Sequence, residues 1–309
     1  MKWLYVGEVG YGNLGDDACA ELITDLIREP IQVRALDGLT AEDRADRLII
    51  GGGTILSLRS TTWMKNLANV SERSGRVATV GTGVDPGIPW DMEGIALARR
   101  IFATIDPPNR GLRGPMSVAA LAAVGIDETV IAGDPFCLYQ PIGAIKDSIV
   151  GIIPGHQGRS VGGPHFHDRM IQAIKGIPGK VIYIPVWARD LGLERAYQTF
   201  SGRGDCRYVG PQLHLIAGLL AKCRAVIANR MHAGLLALIC GTPAFFVAHH
   251  IKVTDLCLAL DWPHWAPADD DDLVGKVGRF CLDWHRHTMP ERQINGFASA
   301  IQGIVDRLR

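Results

Sequence analysis

The chain has 309 residues, of which 47% are apolar and 21% charged, and its 32 basic and 32 acidic side chains cancel to a formal net charge of zero. This composition excludes a mainly disordered chain and suits two domains of ordinary size. Electroneutrality argues against a general nucleic-acid or anionic-membrane binder, which needs a basic face, but leaves room for a local basic pocket and for peripheral membrane association.

In chain order, residues 3–6 read as a first strand that runs into glycine turns. Residues 15–28 read as a helix, with Ala18, Cys19, Leu22, Ile23, Leu26 and Ile27 on one face and Asp16 and Asp17 in its first turn, where acids favour the dipole. Further strands are predicted at 31–36, 48–50, 77–80, 101–105 and 130–131, with a helix at 115–124 opened by Pro115 and closed by Gly125. The cycle restarts with strands at 149–153, 181–186, 207–209, 225–228 and 244–248. Helices are predicted between them near 166–176, 190–200, 212–221 and 231–239, and two more near the end. Strands alternating with helices predict α/β architecture: two doubly wound Rossmann-like domains facing a cleft, 1–143 and 144–309. The Asp269–Asp272 run reads as a solvated helix start.

The cysteines, at 19, 137, 206, 223, 240, 257 and 281, are odd in number and form no C-x-x-C pair. Neither a disulfide framework nor a zinc knuckle is expected, and a cytoplasmic location follows as the default. The opening MKWLYVGEVGYG does not read as a signal peptide, and the most apolar stretch, 16 residues at 233–248, is broken by Gly241 and Pro243, so no membrane span is expected.

Several strand ends carry residues suited to chemistry. Residues 10–18, G-Y-G-N-L-G-D-D-A, follow the first strand and open a helix. Such a loop either cradles an anion with its backbone or is a turn with a helix cap, and Asp16 and Asp17 speak against a pyrophosphate. Gly51-Gly52-Gly53-Thr54 and Gly81-Thr82-Gly83 each end a strand and allow close backbone approach by a ligand or a neighbouring loop. Arg113 stands just before a helix, a good place for a guanidinium that binds phosphate or carboxylate. The richest run is V-I-A-N-R-M-H-A-G at 226–234: a buried strand leads straight into Arg230 and His232 at a helix start. That placement costs desolvation unless an anion compensates, and it puts a proton carrier beside the anion site. Lys252 follows the next strand. His165 and His167 form an H-x-H pair whose spacing is weak evidence for a metal, and no metal or cofactor is expected.

Taken together, these segments resemble the polysaccharide pyruvyl transferase family. The resemblance rests on residues 10–18, I-I-G-G-G-T (49–54), G-T-G (81–83), L-R-G-P-M-S (112–117), A-G-D-P-F (132–136) and N-R-M-H-A-G-L-L-A-L-I-C-G-T-P (229–243), in the family's order. It implies a glycosyltransferase-B-like cleft and transfer of the enolpyruvyl group of phosphoenolpyruvate onto two hydroxyls of one sugar, in a glycan or lipid-linked acceptor. It also implies that Arg113, Arg230, His232 and Lys252, the last 20 positions after the histidine, handle the donor. Arg230 and His232 are then the catalytic pair, and Gly12, Asn13, Gly52 and Gly53 contribute donor-binding backbone. The family often has Asp after the first arginine; this chain has Gly114. Phosphoenolpyruvate carries about three negative charges near neutral pH, which three cations and the helix starts would offset.

A nucleotide-sugar-dependent glycosyltransferase of the same architecture is the alternative. It requires an acid late in the second domain to hold a ribose, for which Asp255 and Asp261 are candidates. A non-catalytic sugar-binding module would instead need exposed aromatics, among which Trp63, Trp90, Trp187, Trp262, Trp265 and Trp284 are available.

Overall fold

The structure, a computed structural model, describes the chain except residues 57, 86–88, 142, 156–165 and 211. Its first half runs β1 (Trp3–Gly7), α1 (Leu14–Ile27), β2 (Ile31–Ala35), β3 (Arg47–Gly51), α2 (Thr62–Arg73), β4 (Arg76–Thr82), α3 (Met92–Ala103), β5 (Arg110–Leu112), α4 (Pro115–Ala122) and β6 (Val130–Ile131). The second runs β7 (Ile149–Ile153), α5 (Phe166–Gly176), β8 (Lys180–Tyr183), α6 (Leu191–Ser201), β9 (Asp205–Cys206), α7 (Leu213–Lys222), β10 (Ala225–Ala228), α8 (Met231–Ile239), β11 (Ala244–Ala248), α9 (Ile251–Ala259), β12 (Trp265–Pro267), α10 (Leu273–Leu282) and α11 (Glu291–Leu308).

Each half forms a six-stranded sheet, in the order β2-β1-β3-β4-β5-β6 and β12-β11-β10-β7-β8-β9, and the pairings are parallel. The central strands are buried on both faces, as helices on either side of a parallel sheet require. In both sheets the winding direction reverses once, between β1 and β3 and between β7 and β10, and a crevice opens at the carboxyl ends of the strands at such a point. The two sets of strand ends touch, so the crevices merge into one cleft. The backbones of Asn13 and Trp187 form an antiparallel β-bridge, and His250 Nε2 lies 3.3 Å from Asp85 Oδ2.

Three expectations need correction. Residues 101–105 are not a strand: Ile101 and Phe102 belong to α3, where with Leu97 and Ala98 they form a buried stripe at helical spacing. Asp91 starts that helix by accepting from Gly94 N at 2.6 Å. A short apolar run fits both a strand and a helix, and the flanking cap decides. The strand expected at 181–186 ends at Tyr183, and the edge strand expected at 207–209 pairs instead at Asp205–Cys206.

The last helix returns to the first sheet. Ile301, Ile304, Val305 and Leu308 pack with Trp3 and Tyr5 of β1. Burial of each such side chain stabilises by roughly 1.5–3 kcal/mol. Arg76 donates to the Leu308 carbonyl at 3.2 Å. Residues 291–308 thus share a core with the first domain although they follow the second in sequence. Among the described residues no helix is long and apolar enough to cross a membrane.

Candidate functional site

The loop after β1 is shaped by its own side chains. Gly10 and Gly12 take left-handed backbone, at φ 86° and 64°. Gly10 N donates to Asp17 Oδ1 at 2.6 Å, closing the loop on the helix start. Asn13 is the N-cap of α1: its Oδ1 accepts from Gly15 N at 3.3 Å and its Nδ2 donates to Asp16 Oδ2 at 2.5 Å. The side chain of Asn13 is therefore spent on building the turn. Gly15 has a distinct reason to be glycine. A Cβ there would collide with Nδ1 of His232, so the imidazole lies directly on the start of α1.

His232, in the first turn of α8, is almost fully buried and is held from the other domain. Its Nε2 lies 3.3 Å from Oδ2 of Asp134, and its ring stacks on Phe136 at 5.0 Å between centroids. The same Oδ2 lies 3.3 Å from Nε of Arg113. Asp134 Oδ1 accepts from Phe136 N at 3.1 Å. Arg113 is 0% exposed; its Nη2 donates to the Gly53 carbonyl at 2.6 Å and its Nη1 to Thr54 Oγ1 at 3.3 Å. Burial pushes the Asp134 carboxyl up, but His232 first, then Arg113 and the Phe136 amide outweigh it and hold it at about 2. With Nε2 turned towards an ionised carboxylate, the imidazole carries its proton there and offers Nδ1 at the start of α1.

The second domain contributes three more cationic or ring groups. Arg230 is partly exposed, and Asp190, itself buried, accepts from its Nε at 3.1 Å and from its Nη2 at 2.5 Å. The anion that the sequence demanded beside Arg230 is thus supplied by the protein, and the guanidinium also lies 5.0 Å from the Trp187 ring. Lys252, in the first turn of α9, has no hydrogen-bond or ion-pair partner for its ammonium among the described residues. Burial pushes that ammonium down; Arg113 and Arg230 add to the effect, while Asp16 and Glu8 oppose it. His249 is held at about 3, by burial first and then by Lys252 and Arg230, and its Nδ1 has no hydrogen-bond partner among the described residues. Both amide atoms of Asn229 are buried and likewise have no partner among the described residues.

Among the predicted residues the structure brings Arg113, His232 and Lys252 to one cleft, with Arg230 at its rim against Asp190. Gly53 contributes its carbonyl to Arg113. Gly52 serves packing, since a Cβ there would stand 2.8 Å from the Tyr5 hydroxyl. Gly12 is exposed on the loop. His167 donates to or accepts from the Tyr197 hydroxyl at 3.0 Å, while His165 lies outside the described residues. Two acids escaped the sequence reading. Asp134 had a signal in G-D-P directly after a strand. Glu8 had none: its carboxylate stands 3.1 Å from where a Cβ on Gly53 would be, and burial and Asp16 raise its pKa against Lys252, Arg113 and His232. Cys19 Sγ, an Asp134 oxygen and a His232 nitrogen converge within 4.8 Å, the kind of set that can hold a metal. Here, however, the Asp134 charge is already shared between a guanidinium and an imidazole, and burial raises the Cys19 thiol well above its ordinary value.

Comparison with solved structures places this architecture among glycosyltransferase-B-like folds. The chain is similar to UDP-GlcNAc 2-epimerase from Neisseria meningitidis bound to UDP-GlcNAc, at 12% identity and TM-score 0.56 over 100% of this chain and 99% of that one. It is similar to the Methanocaldococcus jannaschii UDP-GlcNAc 2-epimerase in complex with UDP-GlcNAc and UDP, at 11% identity and TM-score 0.58 over 95% and 97%. It is also similar to Alr3699/HepE of Anabaena in complex with UDP, at 13% identity and TM-score 0.53 over 99% and 95%. No match is found among curated proteins. The family model of the polysaccharide pyruvyl transferases matches residues 13–251, from the cap of α1 through β11 to the start of α9, and therefore spans Arg113, Asp134, Arg230 and His232. The chain belongs to the polysaccharide pyruvyl transferase family and has a glycosyltransferase-B-like fold.

Proposed function

We propose that the protein transfers the enolpyruvyl group of phosphoenolpyruvate onto two hydroxyls of one sugar in a glycan or glycolipid, forming a pyruvate ketal and releasing phosphate. The observation that carries this reading is the Asp134–His232 pair in one cleft with Lys252, whose ammonium has no partner among the described residues, in a chain of this family. The reaction needs one proton delivered to the donor's methylene carbon, which becomes a methyl, and two protons removed from the acceptor hydroxyls. One of those two replaces the proton delivered; the other leaves with phosphate as the carbon–oxygen bond to it breaks. His232, held by Asp134 through Nε2, takes up and hands on a proton through Nδ1. Lys252 and the open edge of Arg230 attract the donor's phosphate and carboxylate, and Arg113 adds its field from behind Asp134.

One observation favours the nucleotide-sugar alternative: enzymes of the same fold have been solved with UDP-GlcNAc or UDP bound. Against it, both oxygens of Asp255 are already engaged, by Met116 N and Ser117 Oγ, and Asp261 is exposed on a turn. Incubation with phosphoenolpyruvate and a panel of glycans tests the two readings. Stoichiometric phosphate release with an acceptor mass gain of one pyruvic acid less one water supports the first. A thermal shift with UDP-GlcNAc and none with phosphoenolpyruvate overturns it.

A further inference from the structure

Helix α4 starts without a cap of its own. Its N-cap residue, Gly114, has no side chain, and its backbone is extended at φ −160°. The donors of the first turn are met from the other domain. Asp255 on α9 is buried; its Oδ1 accepts from Met116 N at 2.7 Å and its Oδ2 from Ser117 Oγ at 2.6 Å. Ser117 Oγ accepts in turn from Val84 N at 3.1 Å, just beyond β4. No cation pairs with this carboxylate among the described residues, and the positive end of α4 supplies the compensating field.

Gly114 is what makes room. A Cβ there would collide with the Asp255 carboxylate and stand 2.5 Å from its backbone oxygen. A flexible side chain could move aside; the backbone of α9 cannot. Any other residue at 114 therefore pushes the domains apart at this point. The two partners also sit next to the cations of the cleft: Gly114 directly follows Arg113, and Asp255 lies one helical turn beyond Lys252. Two like charges held across a cleft repel each other, so their spacing needs an attachment elsewhere.

We propose that Asp255 is a cross-domain positioning residue. By capping α4 against Gly114, it fixes Lys252 of the second domain relative to Arg113 of the first and holds the cleft closed before any ligand arrives. Such preorganisation lowers the cost of ordering the site on binding. The inference rests on the seam between the domains and not on which donor the cleft takes.

Small-angle scattering of the full-length protein without ligand, with circular dichroism as the folding control, tests it. Asp255→Ala and Gly114→Ala should each raise the radius of gyration and the maximum dimension at unchanged helix content. Asp255→Asn, which can still accept from Met116 N, should restore most of the compactness. Hydrogen exchange at Met116 and Ser117 should quicken at least about tenfold in Asp255→Ala, the signature of a lost cap. If Asp255→Ala does not fold, Gly114→Ala decides, because it leaves the carboxylate in place. The proposal is overturned if those of Asp255→Ala and Gly114→Ala that fold scatter like the unaltered protein, or if the unaltered protein is already open and closes only when phosphoenolpyruvate is added.

Discussion

Arg113 and Lys252 face one cleft from opposite domains, and the protein treats them differently. Arg113 is fully enclosed, with a carbonyl, a hydroxyl and a carboxylate arranged around its fork. Lys252 has none of these among the described residues, where Asn229 and His249 of the same domain also keep buried polar atoms without a hydrogen-bond partner. The first domain thus surrounds its cation with oxygens of its own, although Arg113 Nε and Asp134 Oδ2 meet as an ion pair at 3.3 Å without a hydrogen bond, and the second presents an ammonium that has no such oxygens among the described residues. Arg230 lies between the extremes, with two donors on Asp190 and the rest of its guanidinium partly exposed. A residue type that binds anions is therefore a poor guide to where an anion goes. A guanidinium enclosed by the fold's own oxygens stabilises the fold first, and a cation without such partners is the one a ligand reaches.

Substitutions along this division should separate the two roles. The largest effect is expected at His232, which belongs to both sides. His232→Ala should lower turnover by roughly 10²–10⁴-fold while circular dichroism shows a folded chain, and a well-folded variant keeping more than about a tenth of normal turnover would remove its proton-carrying role. Arg113→Ala should come next and should be read mainly in stability. Losing one partner of a buried pair costs about 3–5 kcal/mol, visible as a large drop in denaturation midpoint. A small drop would place Arg113 with Lys252, on the ligand side.

The third test uses acid. Because Asp134 is held at about 2 against an ordinary 3.8, its ionised form favours the folded state, by about 2 kcal/mol. That contribution is fully present above about pH 4 and is lost as pH falls towards 2. Asp134→Asn should flatten the stability profile over this window in pH-dependent melting. Lys252→Met should behave oppositely to Arg113→Ala. Burial disfavours the ammonium, so removing it should leave the melting temperature unchanged or higher at neutral pH, while phosphoenolpyruvate affinity falls roughly tenfold or more by calorimetry. Donor binding to the unaltered protein should draw in a proton at alkaline pH, since an anion favours the charged lysine. The smallest effect is expected at Glu8. Its ionised form is disfavoured in the fold, so Glu8→Gln should raise the melting temperature by roughly 1–2 °C near neutral pH, with the gain vanishing as the carboxyl protonates in acid.

The sequence by itself determined the two parallel sheets. Short β-rich runs between amphipathic helices have few other solutions, and glycines at strand ends mark the edge where the chain turns. It also determined that Arg230 and His232 start a helix, because V-I-A-N-R-M-H carries a buried strand directly into α8. Residues 101–105 misled for a local reason: their apolar run fits two periods, and Asp91 ten positions upstream fixed the helical one. What only the tertiary structure decided is pairing. Asp134 and His232 are 98 positions apart, Asp190 and Arg230 are 40, and Ser117 and Asp255 are 138. No local pattern encodes which carboxylate meets which cation, because hydrogen bonds and ion pairs depend on distances of a few ångströms that arise only when the two sheets dock. Gly114 is the plainest case. In the sequence it is a missing acid; in the fold it is the space that lets Asp255 reach across the cleft.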